Sequence, residues 1–409
     1  MRILWRSLHR HKPSPRRTTP LFKFIRNLRR NRQKLDLWAE ARRSRTLPRD
    51  RGSVVVVRLD GIGDFILWLA CARAIRARYP RPTHRITLVA STAFSDLAAS
   101  TGLFDAVMAV NARRYIEDNA YSRAILKQVA ALRAEVAINP GISRDRYGDR
   151  LIHVSGATTR ISVDGDPEAQ PDRKQRQSDL WYTDLIKITP GIHEIEANAI
   201  VAHYFDPSAP PSRPRLDKDL ISRPDWLPNE PYFVVFPGSA SVKKKWPADR
   251  FAAILTRLQQ RTGWVAVICG TNAEKPDAQA ILDLTGRHRI IDACGRTDLG
   301  ALAGALRDAE LLLCNDTGAA HIAAAVDCPV VVPCGGYHYG RFLPYPAMDD
   351  AAPVMFTVFE KMPCFNCSWK CIYPRAADEP LYCVSQIGLE AVWQAVGEAL
   401  ESKPHPQVQ

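Results

Sequence analysis

The sequence predicts an α/β protein made of two tandem doubly wound domains. Short apolar runs such as VVVVR and YFVVF alternate with longer amphipathic stretches, the pattern of a parallel sheet covered on both faces. That alternation runs twice, before and after a proline-rich stretch at 206–231. The length, 409 residues, exceeds one compact domain and suits two of about 150 to 180.

Each element follows from its residues. Beyond an N-terminal arm over 1–51, SVVVVRLDGIGDFILWLACARAIRARYP gives a buried strand over Val54–Arg58, a glycine turn and a helix over Phe65–Tyr79. Strands follow at RITLVA, FDAVMAV and EVAINP, with helices expected over Ser95–Thr101 and Tyr121–Arg133. These fill a first domain, 52–205, whose polar residues 164–180 read as a mobile loop. Residues 206–231 read as a linker. In the second domain, 232–400, strands are expected at YFVVFPG, WVAVICG, RIIDAC, LLLCND and PVVVPCGG. Helices are expected over Ala248–Arg261, Glu274–Thr285 and Leu299–Arg307, and directly after LLLCND. Ligands of such sheets gather at the carboxyl ends of the strands, so the expected site is a cleft between two facing domains.

Charge and cysteine usage bound the function. The net charge of +13 sits on the arm, where seventeen lysines and arginines face only Asp36, Glu40 and Asp50; the remainder is near neutral. The arm interleaves Leu21, Phe22, Phe24, Ile25, Leu28, Leu35 and Trp38 with arginines, as a helix lying in an anionic membrane interface does. A plain solvated arm is the alternative. No recognisable nucleic-acid-binding module accompanies it, so no nucleic-acid partner is expected. No apolar run approaches the roughly 20 residues of a membrane span, and the arginine-broken start lacks a secretory core. The expected location is cytoplasmic, peripheral on the inner face of the plasma membrane. Cys71, Cys269, Cys294, Cys314, Cys328 and Cys334 fall in apolar runs and read as core residues. Cys364, Cys367, Cys371 and Cys383 cluster in a loop over 363–383, either as a tetrahedral zinc tether or as reduced thiols packing the loop.

Three glycine-bearing strand ends carry the chemistry. In RLDGIGD, Gly61 and Gly63 turn the chain and Asp64 opens a helix, as a cap or as a general base toward an incoming hydroxyl. In FPGSASVKKKWPADRF, Ser239, Ser241 and the lysines suit a diphosphate, although a solvated lysine run is the bland reading. In LLLCNDTGAAHIAAA, Thr317 and Gly318 present backbone N–H groups at a helix N-terminus, and Asp316 beside them suits sugar hydroxyls better than phosphate. His321 lies one turn further on, as a site residue or as a satisfied structural histidine.

Together, RLDGIGDFILWLACARAIRARYP, FPGSASVKKKWPADRF and NDTGAAHIAAAVDCPVVVPCGG resemble glycosyltransferase family 9, the heptosyltransferases of lipopolysaccharide core assembly, over roughly residues 53–400. The resemblance implies a GT-B fold, two Rossmann-like domains facing a central cleft. It implies inverting transfer of a sugar, with ADP-heptose the expected donor and a lipopolysaccharide or related lipid-linked glycan the acceptor, with no metal and no cofactor. By resemblance Asp64 is the general base, Lys244 holds donor phosphate, Ser239 and Ser241 line that site, and Glu274 binds the ribose. Asp316 contacts the donor sugar, Thr317 and Gly318 give N–H groups to the diphosphate, and His321 joins them. A GT-B-fold nucleotide-sugar epimerase is the nearest enzymatic alternative. A non-catalytic glycan- or nucleotide-binding protein is the other.

Overall fold

A computed structural model describes residues 32, 35–165, 172–348 and 354–402. Among the described residues it separates into two compact units, one comprising those within 32–65, 71–190 and 197–211, the other those within 66–70, 191–196 and 212–402.

The first unit holds β1 (Ser53–Arg58), β2 (Arg85–Ser91), β3 (Ala106–Val110), β4 (Val136–Asn139), β5 (Thr159–Val163) and β6 (Asp184–Ile186). They form one sheet in the order β3-β2-β1-β4-β5-β6, and every pairing is parallel. Val54–Val57 are all buried, odd and even positions alike, because helices cover both faces. The second unit holds β7 (Tyr232–Phe236), β8 (Val265–Ile268), β9 (Ile290–Asp292), β10 (Leu312–Cys314), β11 (Val330–Pro333) and β12 (Met355–Val358). Its order is β12-β11-β10-β7-β8-β9, again all parallel. Read from its other edge, that is the order of the first sheet. Both are Rossmann-like, and in both the order reverses beside the first strand, between β1 and β4 and between β7 and β10. The paired Rossmann-like sheets are the GT-B fold class expected from the sequence.

Several boundaries differ from the sequence reading. The helix expected over Phe65–Tyr79 begins earlier and is two helices, Ile62–Leu67 and Leu69–Arg78. Asp64 is therefore the third residue of its helix and not the first. The described end of the expected arm, residues 35–51, belongs to the first unit. Residues 35–46 are helical, Leu37 and Ala41 are buried in its core beside Val55, Val129 and Leu151, and Asp36 pairs with Arg123 at 3.3 Å. The arm's apolar residues Leu21, Phe22, Phe24, Ile25 and Leu28 lie outside the described residues. Of the expected loop at 164–180, Asp172–Asp179 is a helix, while 166–171 lie outside the described residues. The second half of the linker is packed against the second unit. Leu216, Ile221 and Leu227 are buried, Leu216 N–H donates to the Ala325 carbonyl at 2.8 Å, and Asp327 gathers Arg213, Arg215 and Lys218. Among the described residues no helix is long and apolar enough to cross a membrane.

Candidate functional site

Both candidate clusters stand where a sheet's strand order reverses. In the first unit, β1 runs into Leu59–Gly61 and the helix Ile62–Leu67. The Asp64 carboxylate accepts the Gly61 N–H at 3.1 Å, tying the first turn to the loop before it. Gly63 is the second residue of that helix. Arg58, 2 % exposed, reaches over the turn. Its Nη2 donates to the Asp64 carbonyl at 2.9 Å and pairs with the Asp60 carboxylate at 2.7 Å. Asp60 was missed in the sequence reading. Its Oδ1 is buried without a hydrogen-bond partner. Burial pushes its carboxyl up to about 7, opposed by Arg58 and reinforced by the charge of Asp64.

The end of β4 supplies the other side of this cluster. Asn139 Nδ2 donates to Asp149 at 3.3 Å, and the Tyr182 hydroxyl donates to the same oxygen at 2.6 Å. Arg144 Nε pairs with Asp149 at 3.2 Å, both side chains fully buried. Arg144 also donates to the Val163 carbonyl and the Ser178 hydroxyl. Asp145 caps the helix Arg146–Ser155 through the N–H groups of Tyr147 and Gly148. A cavity of about 20 Å³, room for one water, is lined by Arg58, Asp60, Asn139, Arg144 and Asp145.

In the second unit the segments after β7, β10 and β11 meet. Lys244 ends a short 3₁₀ turn after β7, and Asp316 follows β10. Their side chains pair at 2.8 Å, 18 % and 13 % exposed. The Tyr337 hydroxyl, from the turn after β11, donates to the same Asp316 oxygen. Burial works against the charge on Asp316, but Lys244 and the hydrogen bonds from Lys244 and Tyr337 hold its carboxyl below the usual range. Burial, with Asp316 beside it, pushes the Tyr337 hydroxyl far up, so it stays a donor. Asn315, fully buried, links the two strand ends. It accepts the Trp246 N–H at 2.8 Å and donates to the Pro237 carbonyl at 2.6 Å.

The other expected donor residues distribute around that pair. Thr317 caps the helix Gly318–Ala325, its hydroxyl accepting the Ala319 N–H. His321 is buried, hydrogen-bonded to Tyr345 at 2.8 Å and stacked on its ring, a packed position. Ser239 accepts the Ser241 N–H at 3.4 Å. Glu274 closes a capping box with Thr271, and its side chain fills the place a Cβ on Gly238 would take, at 2.1 Å from its Cγ. So Glu274 borders the loop that carries Ser239.

The four clustered cysteines line one cavity of about 10 Å³ with Gly336, Phe365 and Tyr373. Burial pushes the Cys383 thiol up to about 11. Among the described residues no group of three or more His, Cys, Asp or Glu stands as a metal-ligand set. The six other cysteines are buried, as expected.

Residues 172–372 match the family description "Glycosyltransferase family 9 (heptosyltransferase)". Over that stretch the chain is similar to glycosyltransferase family 9. It is 28% identical to lipopolysaccharide heptosyltransferase 3 of Escherichia coli over 174 residues, 38% of this chain and 48% of the relative. It is 24% identical to lipopolysaccharide heptosyltransferase 1 of Pseudomonas aeruginosa over 288 residues, 68% of this chain and 77% of the relative. The chain thus spans about half the length of the first relative and about three quarters of the second. Among solved structures, a family 9 glycosyl transferase from Veillonella parvula superposes with a TM-score of 0.65 at 19% identity, covering 87% of this chain and 99% of that one. Escherichia coli ADP-heptose heptosyltransferase II gives 0.61 at 15%, covering 85% and 98%. These likenesses share the fold.

Proposed function

We propose that the protein is an inverting glycosyltransferase that moves a heptose from ADP-heptose to a lipopolysaccharide or related lipid-linked acceptor. The observation that carries this is the partly exposed Lys244–Asp316 pair beside the Thr317–Gly318 turn, where the strand order of the second sheet reverses. A diphosphate there meets an ammonium group and the N–H groups of a helix N-terminus, while Asp316 accepts from sugar hydroxyls. Asp64, on the first unit, takes the proton of the acceptor hydroxyl as its oxygen bonds to the anomeric carbon. The bond from that carbon to the diphosphate breaks on the opposite face, and Lys244 and the backbone N–H groups stabilise the departing charge. Inversion follows from attack opposite the leaving group.

The clamp on the leaving group is lysine and backbone, so transfer should continue in excess chelator. Incubation with ADP-heptose and a lipid-linked core acceptor tests the reading. ADP release with a new glycosidic bond supports it; epimerised nucleotide sugar without acceptor, or no turnover of any nucleotide sugar, would overturn it.

The reading includes a membrane-bound enzyme. Residues 1–31 carry ten lysines and arginines and no acid, and Leu35 and Trp38 on the adjoining helix are 67% and 61% exposed. Each basic residue near an anionic surface contributes about 1 kcal/mol. Because Leu37 and Ala41 belong to the core, the informative truncation stops at residue 31. It should abolish sedimentation with anionic vesicles and leave ADP binding intact.

A further inference from the structure

The loop at 363–383 is built to hold one side chain. Asn366, Ser368 and Trp369 take φ of 60°, 48° and 68°, the left-handed region that residues other than glycine avoid. The loop is tied to the turn after β11. Asn366 N–H donates to the Gly336 carbonyl at 2.6 Å, and Ser368 N–H donates to that of Tyr337 at 2.9 Å. A Cβ on Gly336 would stand 2.2 Å from the Phe365 ring, so only glycine lets the loop close on this turn. Behind it, Cys364, Cys367, Cys371 and Cys383 line the small cavity already described.

This clamping presses the Trp369 indole onto Tyr337, with ring centroids 4.1 Å apart and planes at 22°. Tyr337 is the residue that donates to Asp316. The Nζ atoms of Lys243 and Lys244 each lie 5.7 Å from the Trp369 ring centroid. Trp369 Nε1 is buried and has no hydrogen-bond partner. A buried donor without an acceptor is costly, and so is the backbone that puts it there. Two ammonium groups over the same ring favour an anionic acceptor.

We propose that Trp369 is a donor-site residue whose indole N–H binds an anionic oxygen of the nucleotide sugar's diphosphate, and that the cysteine-lined loop positions it. This rests on the placement of the donor at Lys244 and Asp316, and deepens it. The ring wall of Tyr337 and Trp369 then surrounds the lysines with low-dielectric surface, strengthening their hold on the same diphosphate.

Calorimetry with ADP and with inorganic pyrophosphate on wild-type, Trp369→Phe and Lys244→Ala proteins tests it. Phenylalanine keeps the stacked ring and removes only the N–H. Trp369→Phe should bind both probes about tenfold more weakly, with an unchanged melting temperature. In the wild type, the Trp369 indole ¹⁵N–¹H resonance should shift on adding pyrophosphate. If Lys244→Ala weakens both probes while Trp369→Phe binds as wild type and the resonance stays put, the inference on Trp369 falls and the donor site stands. If neither variant changes affinity, the placement of the donor falls with it. Should Trp369→Phe fold poorly, the wild-type resonance alone decides.

Discussion

In the first unit, the point between β1 and β4 is packed with buried charge; in the second, the point between β7 and β10 leaves its charges partly exposed. Arg144 and Asp149 are fully buried, and Arg58 and Asp60 nearly so. Lys244 and Asp316 keep part of their surface in solvent. The strand order is the same, so topology does not set this difference; side-chain choice does. Arginine, with its planar fork of donors, can satisfy several partners at once when buried, as Arg144 does with Asp149, Val163 and Ser178. Such a network holds loops. A lysine is a point charge on a flexible stem, suited to meeting a ligand's phosphate. The arginines of one unit thus suit scaffolding, while the lysine of the other suits the donor binding proposed above, with Asp64 the proposed base.

The largest effect that would break this comparison concerns Asp64. Asp64→Asn should lower turnover by at least about 100-fold, since a general base contributes about 10²–10⁴, with ADP affinity unchanged by calorimetry. Near-normal turnover would leave Asp64 only its bond to Gly61. Next comes Asp149→Asn, which removes the fully buried carboxylate from Arg144 and leaves it only Asp179. It should destabilise the first unit by about 3–5 kcal/mol in urea unfolding. A loss under about 1 kcal/mol would mean that the network is not a scaffold.

Lys244→Ala should do the opposite. Its stability loss should be smaller than that of Asp149→Asn, because this pair keeps part of its surface in solvent, yet ADP affinity should fall by about 10- to 100-fold, the value of a charge-assisted contact. Asp316→Ala should reduce affinity for ADP-heptose more than for ADP, because it is assigned to the sugar. Equal losses for both ligands would remove that assignment.

The smallest effect sharpens the comparison. Asp60 faces Arg58 and the charge of Asp64, and lines one cavity with Arg144 and Asp145. As pH rises through about 7, where burial has pushed its carboxyl, Asp60 becomes charged. A second carboxylate charge then stands beside the turn that carries Asp64. The wild-type kcat/KM should therefore climb a few-fold across neutrality, and Asp60→Asn should flatten that rise. Superimposable profiles would place Asp60 among the structural charges alone.

Much of this was legible from the chain itself. Hydrophobic alternation revealed two parallel sheets because strands buried on both faces read as continuous apolar runs, as at Val54–Val57 and Val330–Val332. The helix Leu299–Arg307 matches its expected bounds, since its leucines and alanines recur at helical spacing and Asp298 caps it. The strand-end motifs were visible because glycine, lysine and an NDTG turn stand out against apolar neighbours. Tertiary structure alone decided what those signals lack. Leu37 and Ala41 look like any arm residues until a folded core covers them. The 212–231 stretch has the composition of a tether, but its apolar residues find partners 100 residues away. Asp60 reads as an ordinary loop acid, and only burial beside Arg58 changes its proton affinity. Trp369 carries no motif; its place over Lys243, Lys244 and Tyr337 comes from loop closure on Gly336. Local pattern determines what a segment can become, because periodicity and turn chemistry act over a few residues. Which polar group ends up buried, paired or facing a ligand depends on segments far apart in sequence, and only the packed fold brings those together.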